Sequence, residues 1–207
     1  MLDKHIIGNI LIDLSVDKVK RRLSIKKARL DKEIETAIEE VRTYSQTNVV
    51  ISEFVIDAIT EESIIFNRGK RIESKNIAKL LENSNRIYIF AVTLGIDVDN
   101  RIEFYFKNRN ESKGLILDAA ASEYVEAVVS FTHNFLKNRA KRFQGSITPR
   151  FSPGYGDLSL DNQRLILKLA GARKIGIKLL SPSMIMIPRK SVTAICGMDK
   201  IFDKDKK

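Results

Sequence analysis

The chain has 207 residues, with 36 lysines and arginines against 26 aspartates and glutamates, a formal charge of +10. Its 43% hydrophobic and 30% charged residues exclude a wholly disordered polymer, and its length exceeds that of small disulfide-stapled scaffolds. The best apolar run, Ile87 to Val92, is six residues, against the roughly 18 that a membrane-spanning helix needs. The opening Met1-Leu2-Asp3-Lys4-His5 lacks the basic-then-apolar pattern of a signal peptide. A single cysteine, Cys196, cannot close an intramolecular disulfide, and two histidines argue against a metal cluster. A cytoplasmic, metal-free protein off the membrane is the expectation.

Helical spacing comes first along the chain. Asp17 to Leu23 forms a short helical segment with Ser15 or Asp17 as cap, and Asp31 to Ser45 a longer one. In the second, Leu30, Ile34, Ala37, Ile38, Val41 and Tyr44 make the apolar face. Strand signals follow at Val49-Val50-Ile51, Phe54-Val55-Ile56 and Ser63 to Phe66, with Asn67-Arg68-Gly69-Lys70 as a hairpin turn. Ser74 is placed to cap a helix through Leu81, and Arg86 to Thr93 is apolar enough for the centre of a sheet. Helical spacing returns from Gly95. After a polar break at Lys107 to Lys113 comes the longest predicted helix, about Gly114 to Lys141.

A Pro/Gly-rich loop spans Thr148 to Asp157. Beyond it lies a helix from about Leu160 to Ala170, with Ser159 as N-cap and Gly171 at its end. Lys174 to Leu180 and Ser191 to Ile195 read as closing strands. No internal repeat or Gly/Ser-rich linker divides the chain. One domain over 1–207 is expected, with a helical N-terminal region at 1–48, a core at 49–198 and a charged tail at 199–207. Mixed elements without strict βαβ alternation make the class α+β.

The positive charge first points to nucleic acid. However, its clusters at Lys18 to Arg29, Lys137 to Arg142 and Lys200 to Lys207 lack interleaved aromatics, and no known nucleic-acid motif accompanies them. A solvated surface or an acidic protein partner fits better. The loop Thr148-Pro149-Arg150-Phe151-Ser152-Pro153-Gly154-Tyr155-Gly156-Asp157 is the richest segment chemically. Arg150 offers a planar fork for a carboxylate or phosphate, Gly154 a backbone open to close approach, and Tyr155 a stacking face. Taken alone, the pattern fits an ordinary ordered loop before a helix better than a ligand loop. On the long helix, Asp118, Ser122, Glu126, Ser130 and Asn134 recur every four residues. That stripe is read first as a solvated face. Leu115 to Leu136 nevertheless holds no Lys or Arg, so its carboxylates await either a ligand ammonium or basic residues from elsewhere. His133 is read as a surface or packing residue, and Cys196, Met184 and Met186 as core. Ser191 and Thr193 have no evident base, so no catalytic residue is assigned.

Three segments together resemble the activation domain of cobalamin-dependent methionine synthase. Arg150-Phe151-Ser152-Pro153-Gly154-Tyr155-Gly156 is similar to its Arg-x-x-Pro-Gly-Tyr loop, and Phe90-Ala91-Val92-Thr93-Leu94-Gly95 to its Phe-Ala-Val-Thr-x-Gly strand end. The stretch Ser183 to Thr193 is similar to its closing hairpin, with the pattern Ser-x-x-Met-x-Pro-x-x-Ser-Val-Ser. The resemblance runs from about Ile51 to Ile195 and implies a twisted antiparallel sheet packed with long helices. It implies a stand-alone reactivation subunit, rather than an independent catalyst, that binds S-adenosylmethionine. Such a subunit serves the reductive methylation of cob(II)alamin on a methionine synthase lacking this domain, with flavodoxin or ferredoxin supplying the electron. Cobalamin is then carried by the partner. Arg150 matches the arginine that holds the ligand carboxylate, Ser152 and Gly154 match backbone positions facing the ligand, and Tyr155 matches the loop tyrosine. Glu126 falls where the family's long helix has a glutamate suited to the ammonium or sulfonium. Two ligand contacts of the large domain have no clear counterpart: a C-terminal tyrosine pair, and an acidic residue near which only Ser74 and Asn76 lie. These gaps imply a more open site or one completed by the partner. A nucleic-acid module and an S-adenosylmethionine sensor without methyl transfer are the alternative readings.

Overall fold

In the computed structural model, which describes residues 3–25 and 28–200, the chain begins with strand β1 (Asp3–Gly8) and helices α1 (Val16–Arg22) and α2 (Asp31–Tyr44). Strands β2 (Asn48–Ile59), β3 (Ser63–Phe66) and β4 (Lys70–Glu73) follow, then helix α3 (Lys75–Leu80) and strand β5 (Ser84–Thr93). Helices α4 (Ile96–Lys107) and α5 (Glu111–Lys141) lead into β6 (Gly145–Ile147). After the Thr148–Asp157 loop come α6 (Gln163–Ala170), β7 (Lys178–Leu180), β8 (Ile185–Ile187) and β9 (Ser191–Lys200).

The most apolar run becomes the middle of the sheet. The order is β4–β3–β2–β5–β9–β6, all antiparallel, with β1 along 48–53 of β2 and β3 along 56–59. Along β5, alternate residues serve opposite faces, as the two-residue period of a strand requires. Tyr88, Phe90 and Val92 pack with α2, α4 and α5, while Ile87, Ile89 and Ala91 pack with α3 and α6. With both faces covered, an almost uninterrupted apolar strand is what the site demands. On α5 the small residues Ala119, Ala120 and Ala121 are all buried. At Gly114 a Cβ would lie only 3.0 Å from the Phe106 ring of α4, so glycine there permits the close crossing.

Two polar devices fix the periphery. Glu53, 2% exposed in β2, pairs with Arg86 on β5 and with Arg139 of α5, whose Nη2 also reaches Asp3 of β1 at 3.0 Å. Ser52, buried beside it, donates to the Ala170 carbonyl at 3.1 Å and holds the end of α6 on the sheet.

The α+β class holds, and several boundaries move. The stretch 1–48, expected to be helical, also contains β1, whose partner β2 is some forty residues away in sequence. Lys174 is not in a strand. Ala172–Ile175 is a 3₁₀ turn, made possible by positive φ at Gly171 and Gly176, and the strand starts at Lys178. The stretch resembling a closing hairpin is divided between two sheets. Among the described residues β8 pairs only with β7, whereas β9 joins β5 and β6 and carries Asp199 and Lys200, expected in the tail. Residues 201–207 of that tail lie outside the described residues. Among the described residues, no helix is long and apolar enough to cross a membrane.

Phe90 is fully buried in the central strand. Phe90→Ala is expected to lower unfolding free energy by about 3–5 kcal/mol, through lost transfer energy and the cavity left behind. Denaturant titration with an unchanged m-value checks this.

Candidate functional site

The Pro/Gly-rich loop is stitched to β9 before it reaches solvent. Thr148 donates its amide to the Gly197 carbonyl at 3.0 Å, and its Oγ1 accepts from the Gly197 amide at 2.8 Å. Phe151 and Ile195 exchange both main-chain hydrogen bonds at 2.8 Å, and Ser152 Oγ donates to the Thr193 carbonyl at 2.7 Å. His133 of α5 supports the same stem. Its Nε2 lies 2.9 Å from the Thr148 carbonyl. Burial, then the neighbouring charges of Lys137 and Arg150, pushes its pKa down against the pull of that hydrogen bond, and since a carbonyl can only accept, Nε2–H is the donor.

Beyond the stem the loop turns back on itself. Gly154, at φ 90°, donates its amide to the Leu158 carbonyl at 2.8 Å, a conformation in which an L side chain is strained. Leu158, buried, donates to the Tyr155 carbonyl at 3.0 Å. The far end docks on α3. At Gly156 (φ 53°) a Cβ would lie 2.2 Å from Asn76 Nδ2. The Asp157 carboxylate accepts from the Ser74 hydroxyl and from the amides of Lys75 (2.6 Å) and Asn76 (3.3 Å). Ser74 in turn caps α3 by accepting from the Ile77 amide at 3.0 Å. The Ser74 hydrogen bond, followed by the two amides, holds the Asp157 carboxyl below its ordinary value. Ser74 and Asn76, the nearest counterparts of the missing acidic contact, are thus committed to anchoring the loop.

This anchoring aims Arg150 across the molecule at α5. Its Nη2 lies 2.8 Å from Glu126 Oε2, with the two side chains 36% and 40% exposed. The pair stands in a cleft of about 1060 Å³ also lined by Ser152, Tyr155, Gln163 and Thr193. Four of the five predicted site residues (Glu126, Arg150, Ser152 and Tyr155) line it, while Gly154 shapes the turn without lining it. Tyr155 is 69% exposed, leaving its ring face free. A half-exposed ion pair contributes only about 0–1 kcal/mol, so a ligand bearing both charges can separate it at little cost.

The first half of the polar stripe on α5 and the neighbouring Glu123 also meet cations. Lys190 Nζ lies 2.8 Å from both Asp118 and Ser122, and Arg22 Nε is 2.6 Å from Glu123. Basic residues from elsewhere therefore take these carboxylates, while Ser130 and Asn134 of the same stripe stay exposed, as a solvated face requires.

Several cleft residues escaped the sequence reading. Met184 and Met186, expected in the core, are partly exposed and line the cleft, because Met184 sits in a turn at φ 56° and Met186 lies on the small β7–β8 sheet. Gln163 Nε2 reaches Thr193 Oγ1 at 2.9 Å and Met186 Sδ at 3.3 Å, tying three lining residues together. Lys18, Arg21 and Arg22 of α1 form one rim. Their only sequence signal was a basic cluster without an assigned face. Cys196 is buried, as expected, and burial pushes its thiol pKa far up. Ser191 Oγ is bonded to Thr93 Oγ1 and the Pro188 carbonyl in the interior.

No protein-family model matches the chain, and no curated protein matches it. Among solved structures it is similar to a crystal structure of the MetH reactivation domain bound to AdoHcy. That similarity has a TM-score of 0.66 at 13% identity, over 97% of this chain and 80% of that one. The fold is therefore that of the reactivation domain, as the sequence resemblance implied.

Asp157 gives the loop a pH signature. Its folded pKa is lowered from 3.8, so its stabilising contribution is complete above that value and is lost as pH falls through the lower folded one. Asp157→Asn is expected to lower the melting temperature near neutral pH, with the gap to wild type closing as the solution is acidified through that window. Thermal melts across the acid range read it.

Proposed function

We propose that the cleft binds S-adenosylmethionine, and that the chain acts as an accessory subunit in the reductive methylation of a corrinoid carried by a partner methyltransferase. A cobalamin-dependent methionine synthase lacking its own activation domain is the proposed partner. The observation that carries the reading is the Arg150–Glu126 pair at 2.8 Å within the cleft. A free amino acid carries a carboxylate and an ammonium on one carbon. A guanidinium and a carboxylate held side by side are its electrostatic complement, with the arginine fork taking the carboxylate bidentately. AdoHcy, the ligand of the similar structure, carries the same amino-acid end.

The rest of the cleft fits the adenosyl portion. Tyr155 offers a free aromatic face for a heterocycle, and Met184, Met186 and Val192 supply apolar lining. Gln163 and Thr193 supply polar groups between them. When bound to the partner, the corrinoid supplies the methyl acceptor. The residues of this chain hold and orient the donor, which is where positioning lowers a barrier. Ser152 and Gly154 act by fixing the loop that carries Arg150. The excess positive charge of the chain favours fast encounter with an acidic electron donor such as flavodoxin or ferredoxin.

Calorimetry with S-adenosylmethionine and S-adenosylhomocysteine tests the binding step. Saturable heat is expected from the wild type. Arg150→Ala is expected to weaken affinity at least about tenfold, in line with loss of a charged hydrogen bond, while leaving the melting temperature nearly unchanged. Absence of heat from the wild type overturns the reading. The role itself is tested by methylcobalamin formation on a cob(II)alamin-loaded synthase under reducing conditions. Product is expected only when both this chain and S-adenosylmethionine are present, and binding without any product would assign the chain as a sensor.

A further inference from the structure

A second cavity of about 570 Å³ opens beside α6, between that helix, the Ala172–Ile175 turn and β7, and it shares no lining residue with the first cleft. Its charged lining is all of one sign: Arg164, Lys168, Arg173 and Lys178, with no carboxylate. Some cations elsewhere are neutralised at close range, as in Lys20–Asp31, Arg101–Glu40 and Lys190–Asp118. Among the described residues, none of these four has an ion-pair partner, and Arg164 reaches only the Ser181 hydroxyl at 3.4 Å. Two more cations lie near the rim. Lys4 Nζ approaches Gly171 so closely that a Cβ there would lie 2.0 Å from it. Burial, and then the like charge of Lys174, push the Lys4 pKa down.

The floor is of a different kind. Leu167 and Ile177 are buried and Leu179 is half-buried beneath the cationic rim. An apolar lining bordered by four exposed cations suits a ligand with an apolar body and clustered negative charge. The volume falls within the roughly 300–1,000 Å³ usual for small-molecule sites. Lysine ammoniums and arginine forks are side chains that bind phosphate. We propose that this cavity binds a ligand of the nucleotide class, a multiply charged phosphate ester on an apolar heterocycle. The proposal is independent of the S-adenosylmethionine reading, because the two cavities have no residue in common.

Calorimetric titration of ATP and ADP into the full chain at low ionic strength, without added magnesium, tests it. Saturable binding is expected in the wild type and in Arg150→Ala. It is expected to be weakened at least about tenfold in an Arg164→Ala/Arg173→Ala double variant, two exposed side chains whose removal spares the core. A Lys168→Ala/Lys178→Ala variant repeats the measurement on the other half of the rim. Inorganic tripolyphosphate is expected to bind at least about tenfold more weakly than ATP, because it cannot use the apolar floor. The proposal is overturned if neither nucleotide binds, if the rim variants bind as tightly as wild type, or if tripolyphosphate matches ATP. It is equally overturned if a duplex oligonucleotide binds through the same four cations while ATP does not.

Discussion

Two main-chain hydrogen bonds between Phe151 and Ile195 carry the functional end of the molecule. They extend the β9 edge by one bridge into a segment that is otherwise loop, which fixes the side on which Phe151 and Arg150 emerge. Phe151 packs towards the α3 and α6 side of the sheet, and Arg150 points the other way, to α5. The Ser152 hydroxyl on the Thr193 carbonyl and the Asp157 carboxylate on the start of α3 clamp the two ends of the turn. Glycines at 154 and 156 meet the backbone angles between them. Without the bridge, Arg150 would sweep solvent on a flexible loop. With it, the guanidinium is held against a carboxylate that lies 24 residues earlier in the chain.

Charge is organised on the same principle. The long helix supplies carboxylates at 118, 123 and 126, and cations arrive from the residue before β9, from α1 and from the loop to meet them. Each of these pairs is at least partly exposed and adds little to stability. Their value is orientation, since each cation is also a tether for the element that bears it. The buried Glu53 differs. At 2% exposure its charge would be expensive without Arg86 and Arg139, and through Arg139 it also binds β1 and α5 together. Among the described residues, the four cations that line the cavity beside α6 have no such partners.

Elements whose residues are patterned for local reasons were legible. The apolar face of α2, the doubly buried β5, the Ser74 cap and the left-handed Gly171 each follow from neighbours within about one turn or one hairpin. Elements that exist only because a distant strand accepts them were not. β1 is the six-residue Asp3–Gly8, with two charged residues and a histidine, and its pairing with β2 is what makes it a strand. β6 has three residues and depends on the end of β9. Met184 and Met186 have the chemistry of core residues, and their position on the cleft wall comes from the path of the chain through β7 and β8.

The residue chemistry of the site was legible for the same local reason. Prolines flanking Arg150, a glycine where the turn needs positive φ, and an aromatic beside it are dictated by backbone sterics over a few residues. The meeting of Arg150 with Glu126 was implied only by the family resemblance, and the recruitment of Lys18, Arg21 and Arg22 to the rim and the all-cationic lining of the second cavity were not legible. They depend on where α1, α5 and α6 come to lie against one sheet. Short-range dihedral preferences choose a turn or a helix, but a cleft is the space left when segments far apart in sequence pack, and no local pattern encodes that distance.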